Sequence, residues 1–200
     1  MNSPARKSSK RDEEVLEAAI KVFYERGYAE ATVQDVANEV GILKGSLYHY
    51  ISTKEDLLYR LFELVHEQVE SIKLAAEAAT DLNPVERLEL YVHKQVQYNL
   101  ENIERISIYY HDLGLLGPER LAIVQAERRA HNSFVTELIK EAQSAGLTDN
   151  TLDARMLANC VFGTIIWTYR WYRPDSRASR ETVARLCESF ALHGIGSRDT

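Results

Sequence analysis

In 200 residues the chain has two cysteines, four prolines and nine glycines, and each scarcity excludes something. Cys160 and Cys187 are too few for a disulfide-stapled scaffold. Both fall inside apolar helical patterns, so they read as reduced core residues rather than a bridge or a metal site. Little proline and glycine means little of the punctuation that many short strands need, which favours helices. No apolar run approaches the ~20 residues that cross a bilayer, and the first residues are polar and basic, without the apolar core of a leader; the expected location is cytoplasmic. The six histidines are scattered without ligand spacing. No glycine-rich phosphate loop occurs, and Gly45-Ser46-Leu47 lacks the flanking glycine of a nucleophile elbow. The chain is therefore not read as an enzyme, and neither a cofactor nor a metal is expected.

What is present is helix punctuation. Residues 12–26 carry Val15, Ala18, Ala19, Val22 and Phe23 at the spacing of one buried face, and Gly27 ends the run. Thr32 precedes the apolar-periodic Val33, Val36, Ala37 and Val40, with Asp35 three residues on, so it reads as a helix cap. Gly41 stops that helix, and Ile42 and Leu43 are expected to pack the tight turn. A second short helix is predicted over 44–50, with only Leu47 and Ile51 as core positions. Its other residues, Lys44, Ser46, Tyr48, His49 and Tyr50, are the cations, hydroxyls and aromatics that meet phosphates and base edges when a helix lies in the major groove. Thr53 and Asp56 then cap a third helix, whose N-terminal amides beside Lys54 suit a phosphate. Solvated surface helices are the plainer reading. Two tyrosines on so short a helix, and the recurrence of cap, glycine turn and cap, favour a helix-turn-helix.

At these residues the chain resembles the TetR family of bacterial transcriptional regulators. The likeness runs over about residues 12–60: Ala18, Ala19, Phe23, Gly27 and Tyr28; Thr32 and Val33; Val36-Ala37; Gly41; Lys44-Gly45-Ser46-Leu47-Tyr48-His49-Tyr50; and Thr53-Lys54-Glu55-Asp56-Leu57. The resemblance implies that Thr32, Tyr48, Tyr50 and Lys54 touch backbone phosphates, and that Lys44, Ser46 and His49 are candidates for base or groove contacts. Ile51 departs from the family's usual phenylalanine, so tighter local packing is expected there.

The formal net charge is −6, unusual for a DNA binder until it is divided. Residues 1–54 hold eight basic and eight acidic side chains; the other sixteen basic and twenty-two acidic ones carry the whole deficit. A neutral head on an acidic body turns the head toward DNA. Arg6, Lys7, Lys10 and Arg11 form either a cationic arm that reaches a neighbouring groove or a solubilising tail.

Beyond the head, a long helix is predicted from Lys54 toward Ala79. Asn83-Pro84 opens another, through about Asn102, and further helices follow over 103–113, 118–145, 152–171 and 179–193. No strand alternation and no internal repeat appear, so the expected fold is all-α: residues 1–53 a helix-turn-helix reader with a basic arm, residues 54–200 a helical ligand-binding and dimerisation body. The helix near 155–171 is apolar on most sides, and the last adds Val183, Leu186, Phe190, Ala191 and Leu192. With a second copy they can close a twofold four-helix interface. A homodimer pairs two readers with a near-palindromic double-stranded operator.

A body this large also suits an effector cavity. The candidates are polar or aromatic residues on inner helix faces: Tyr91, Gln95, Tyr98 and Asn99; Tyr109, Tyr110 and His111; His131 and Phe134. In the segment Trp167-Thr168-Tyr169-Arg170-Trp171-Tyr172-Arg173-Pro174, residues Trp167, Arg170 and Trp171 share a helix face. That face suits a nucleotide, or equally a dimer contact. The segment resembles the bodies of TetR members that answer to acyl-CoA thioesters in fatty-acid or sterol catabolism. The reading is a regulator, most simply a repressor released by a small-molecule effector such as an acyl-CoA. An effector-free architectural DNA binder is the alternative.

Overall fold

The computed structural model describes residues 10–175 and 177–196. Every regular element among them is helical: α1 (Lys10–Arg26), α2 (Val33–Val40), α3 (Lys44–Leu47), α4 (Lys54–Ala78), α5 (Pro84–Glu101), α6 (Ile103–His111), a 3-10 turn at Leu113–Leu115, α7 (Pro118–Ser144), α8 (Ala154–Trp171) and α9 (Arg180–Gly194). The predicted helices match these within a few residues, except that α3 is a single turn. The described residues pack as two compact units. One runs up to Val65 and includes Glu104–Leu121; the other holds His66–Ile103 and everything from Ala122 on. The sequence boundary at 53/54 falls at the start of α4, but the first unit also takes in the beginning of α4 and all but the first residue of α6.

In the first unit, α1 buries Val15, Ala19, Val22 and Phe23, and Tyr28 sets its ring edge-on to Phe23 at 5.0 Å. Gly27 and Gly41 sit at φ 80° and 75°, the left-handed region that only glycine enters cheaply. After Gly41 the Ile42 amide returns to the Ala37 carbonyl at 2.9 Å, closing α2 and turning the chain into α3. Leu47, wholly buried, anchors that short helix, and Ile51 is buried just beyond it. From α4 come Leu57, Leu58, Leu61 and Phe62, the last 4.7 Å from the ring of Tyr109 on α6.

The second unit is organised by α5. Asn83 caps it through the Val85 and Glu86 amides, Glu86 reaches back to the Asn83 amide at 2.7 Å, and Pro84 takes the first turn, where its missing donor costs nothing. Leu88, Tyr91, Val92, Val96 and Leu100 then enter a core shared with α7, α8 and α9. Cys187 lies in that core as expected. Cys160, also expected there, is exposed instead, because it follows Met156 by one turn on the outward side of α8.

Two glycines of the reader, Gly41 and Gly45, separate backbone need from free space. Gly41→Ala forces a Cβ into the left-handed region and should cost about 1–2 kcal/mol. Gly45 is helical with nothing within 4 Å of an added Cβ, so Gly45→Ala should stabilise by about 0.5–1 kcal/mol. Denaturant unfolding of the full chain checks both signs.

Candidate functional site

The entrance to α2 is held by a reciprocal cap. The Thr32 hydroxyl accepts from the Asp35 amide at 3.1 Å and donates to Asp35 Oδ2 at 2.6 Å, and the Thr32 amide donates to the same oxygen at 2.9 Å. Arg26 Nη1 donates to Asp35 Oδ1 at 2.6 Å. The Thr32 hydroxyl and amide, and behind them Arg26, hold the Asp35 carboxyl below its ordinary range, so the cap stays ionised. Thr32's hydrogen is thereby committed. A phosphate can take it only in exchange for Asp35.

Lys44, Ser46, Tyr48, His49 and Tyr50 do come together, on α3 and the turn after it. Regular helix stops at Leu47. The His49 and Tyr50 amides then return to Ser46 and Leu47 at 3.2 and 2.9 Å. Lys44, Tyr48 and His49 are exposed, while Ser46 and Tyr50 are half-buried. With Leu47 as its inner anchor, the segment turns a cation, an imidazole and a phenol to solvent.

Two residues behave differently from expectation. Lys54 is not a free phosphate contact: its ammonium donates to the carbonyls of Tyr28 (2.8 Å), Ala29 (3.2 Å) and Ala31 (2.9 Å) and lies 4.3 Å over the Tyr28 ring. All three of its donors are used, by acceptors more than twenty residues away, which no local pattern reveals. Leu43 does not pack the turn as Ile42 does. It is 79% exposed at the N-cap of α3 and makes no side-chain cap. Sequence reading missed it because an apolar residue after a glycine turn ordinarily packs inward.

Three of the reader's described cations are paired with carboxylates of the reader itself. Arg11 pairs with Glu14, Lys21 with Glu39 and Arg26 with Asp35, each at 2.6 Å. Lys44 is exposed and has no ion pair among the described residues. Of the expected basic arm, Arg6 and Lys7 lie outside the described residues, and Lys10 and Arg11 belong to the first turn of α1.

The second unit gathers only part of the expected effector set. Tyr91, Gln95 and Asn99 are buried on one face of α5, with Tyr98 half-buried beside them. Tyr91 meets Phe134 and Phe162 edge-on at 5.4 and 6.4 Å. Gln95 Nε2 donates to Asn99 Oδ1 (3.0 Å), and Asn99 Nδ2 to the Ile165 carbonyl (3.3 Å). Gln95 Oε1 is buried without a partner among the described residues, a deficit of about 1–3 kcal/mol that a ligand donor would relieve. His131 has an internal partner in Glu70, at 3.1 Å.

Tyr110 and His111 fall in the other unit, where the rings of Tyr109 and Tyr110 stand 5.0 Å apart. Trp167, Arg170 and Trp171 do share a face, with the guanidinium 5.7 Å from the Trp167 ring, but that face is exposed and does not join the buried group. Trp167 is 60% exposed, and Met156, Leu186 and Phe190 are 70%, 64% and 68% exposed on α8 and α9. The all-round apolarity of α8 thus reflects two faces, one in the core and one outside.

Two family models match the chain: "Bacterial regulatory proteins, tetR family" over residues 15–61 and "Tetracyclin repressor-like, C-terminal domain" over residues 81–195, the latter more than half of the chain. The HTH-type transcriptional repressor KstR2 of Mycolicibacterium smegmatis is 28% identical, over 97% of this chain and 94% of its own. The fatty acid metabolism regulator protein of Bacillus subtilis is 25% identical, over 92% and 95%. The crystal structure of AibR in complex with isovaleryl coenzyme A and operator DNA superposes with a TM-score of 0.83 at 25% identity, covering 94% of this chain and all of that one.

Lys44→Ala should weaken duplex binding and lower the slope of log affinity against log salt by about one per reader, about two for a dimer on its operator. Tyr48→Phe should weaken binding to all sequences alike with little change in slope. Lys54→Met should instead lower the thermal midpoint and leave the slope of the remaining folded protein unchanged. Fluorescence anisotropy across a salt series, beside thermal melts, separates the three.

Proposed function

The chain belongs to the TetR family of bacterial regulatory proteins, and from that premise we propose that it is a cytoplasmic repressor whose effector is an acyl-CoA or a related lipid-derived thioester. It is a ligand-responsive DNA-binding regulator that acts as a homodimer on operator DNA. Among the described residues no helix is long and apolar enough to cross a membrane.

One observation carries the DNA-reading part: a single helical turn, fixed from inside by Leu47, presents Lys44, Tyr48 and His49 to solvent. In this reading Lys44, Ser46 and His49 face base edges, while Tyr48, Tyr50 and, by exchange with Asp35, Thr32 take phosphates. Residues 1–53 are the reader; residues 54–200 bind the effector and the second copy. The exposed apolar faces of α8 and α9 supply the dimer contact, the use their exposure favours for Trp167 and Trp171.

For the effector, the support is chemical. Tyr91, Gln95 and Tyr98 offer polar groups on an inner helix face, and Gln95 Oε1 lacks a donor that an amide N–H or hydroxyl of a pantetheine arm provides. The names of the relatives, which include a fatty-acid regulator and a protein seen with isovaleryl coenzyme A, agree with that class. Release follows from chain continuity. α4 begins beside the reader and ends in the second unit, so a ligand that prefers one pose of α4 changes the separation of the two recognition helices.

The purified protein should prefer duplex from its own upstream region over random duplex at moderate salt; equal binding to both ends the regulator reading. An acyl-CoA near a hundred times its dissociation constant should stabilise by about 2.7 kcal/mol and weaken operator binding about 5- to 150-fold. Gln95→Met roughly keeps the volume and removes both the Oε1 acceptor and the Nε2 donor to Asn99. It should leave DNA affinity intact and weaken the effector about tenfold; unchanged release would remove Gln95 from the site.

A further inference from the structure

We propose that Leu43 is a specificity-determining residue that packs on the C5-methyl group of a thymine in the operator; the inference rests on the DNA-reading function above. Leu43 is the most exposed large apolar residue among those described, at 79%. Its position makes that exposure costly. Thr32, Asn83, Asp153 and Ser179, which also cap helices, all accept hydrogen bonds from backbone amides through their side chains. Leu43 occupies the same place ahead of α3 and accepts none. A serine or threonine there would strengthen the reader helix, so the leucine gives up local stability and gains nothing inside the fold.

Geometry indicates what it gains outside. Leu43 is in extended backbone (φ −68°, ψ 143°) directly before Lys44, so its side chain leaves the helix start rather than following the buried row that ends in Leu47. Gly45, two residues on, carries no side chain and has nothing within 4 Å of its Cβ direction. The start of α3 is therefore low enough for a base edge to approach closely, with Leu43 standing beside the gap. Major-groove edges offer donors, acceptors and one apolar group, the thymine methyl. An isobutyl side chain can pair with none of the polar groups, which leaves the methyl. The exposed apolar residues of α8 and α9 belong to the other unit, whereas Leu43 stands alone among exposed large apolar side chains at the start of α3.

The test uses the full chain and a duplex that the protein itself enriches from a random library. Each thymine is then replaced singly by deoxyuridine, which removes the methyl and nothing else. At one position in each half-site the replacement should weaken the native protein about fourfold and leave Leu43→Ala unaffected. Leu43→Ser, which restores a polar cap, should melt no lower than the native protein and lose the thymine preference. An identical deoxyuridine profile for native protein and Leu43→Ala overturns the assignment, as does full thymine preference in Leu43→Ser. If the native protein enriches no duplex above random, the DNA-reading function itself fails, and this inference goes with it.

Discussion

The reader depends on how the first turn of α4 is held. Three consecutive residues divide the task. Lys54 bonds the carbonyls of the loop between α1 and α2. Glu55 accepts from the Gly117 amide at 3.2 Å and pairs with Arg120 at 3.3 Å. Asp56 caps its own helix through the Ser52 and Thr53 amides at 2.8 and 2.7 Å and also binds Arg120. Burial opposes ionisation of Asp56, but the Arg120 guanidinium and the two amides outweigh it, keeping the carboxyl below its usual range. A hydrogen bond to a charged group is worth about 1.5–3 kcal/mol, against about 0.2–1 for an exposed ion pair. The clamp therefore outranks the surface pairs of α1 and α2 in fixing the start of α4 against the loop that precedes α2.

The same turn opens a helix that leaves the reader's unit. α4 and α7 each cross from one unit into the other without a break. Arg120, at the start of α7, grips the start of α4. The reader is thus held by the ends of two helices whose remaining lengths belong to the second unit. Along these two helices the chain passes between the units within regular helix rather than through a loop.

Much of this was legible in the sequence wherever the cause was local. Thr32 with Asp35, Gly41, and Asn83 with Pro84 each act on residues within five positions, so the pattern contains the physics and the helix boundaries follow. The rest turned on partners distant in the chain. Lys54 looks like a phosphate ligand until its acceptors at Tyr28, Ala29 and Ala31 are seen. Leu43 looks like turn packing until its exposure is known. Periodicity placed Trp167, Arg170 and Trp171 correctly on one face, yet it cannot say whether a face looks inward or outward. For Tyr110 and His111 the pattern gave helix but not the unit to which α6 belongs.

The pairing of the reader's cations bears on how it meets DNA of any sequence. Non-specific attraction to duplex rises with the number of unpaired cations that displace condensed counterions. Here Arg11, Lys21 and Arg26 are spent on carboxylates and Lys54 on carbonyls. Each cation engaged in this way is one fewer available to displace counterions, so among the described residues the reader's non-specific attraction to duplex rests mainly on Lys44. The weaker that sequence-independent attraction, the larger the share of copies left free in solution to meet an operator.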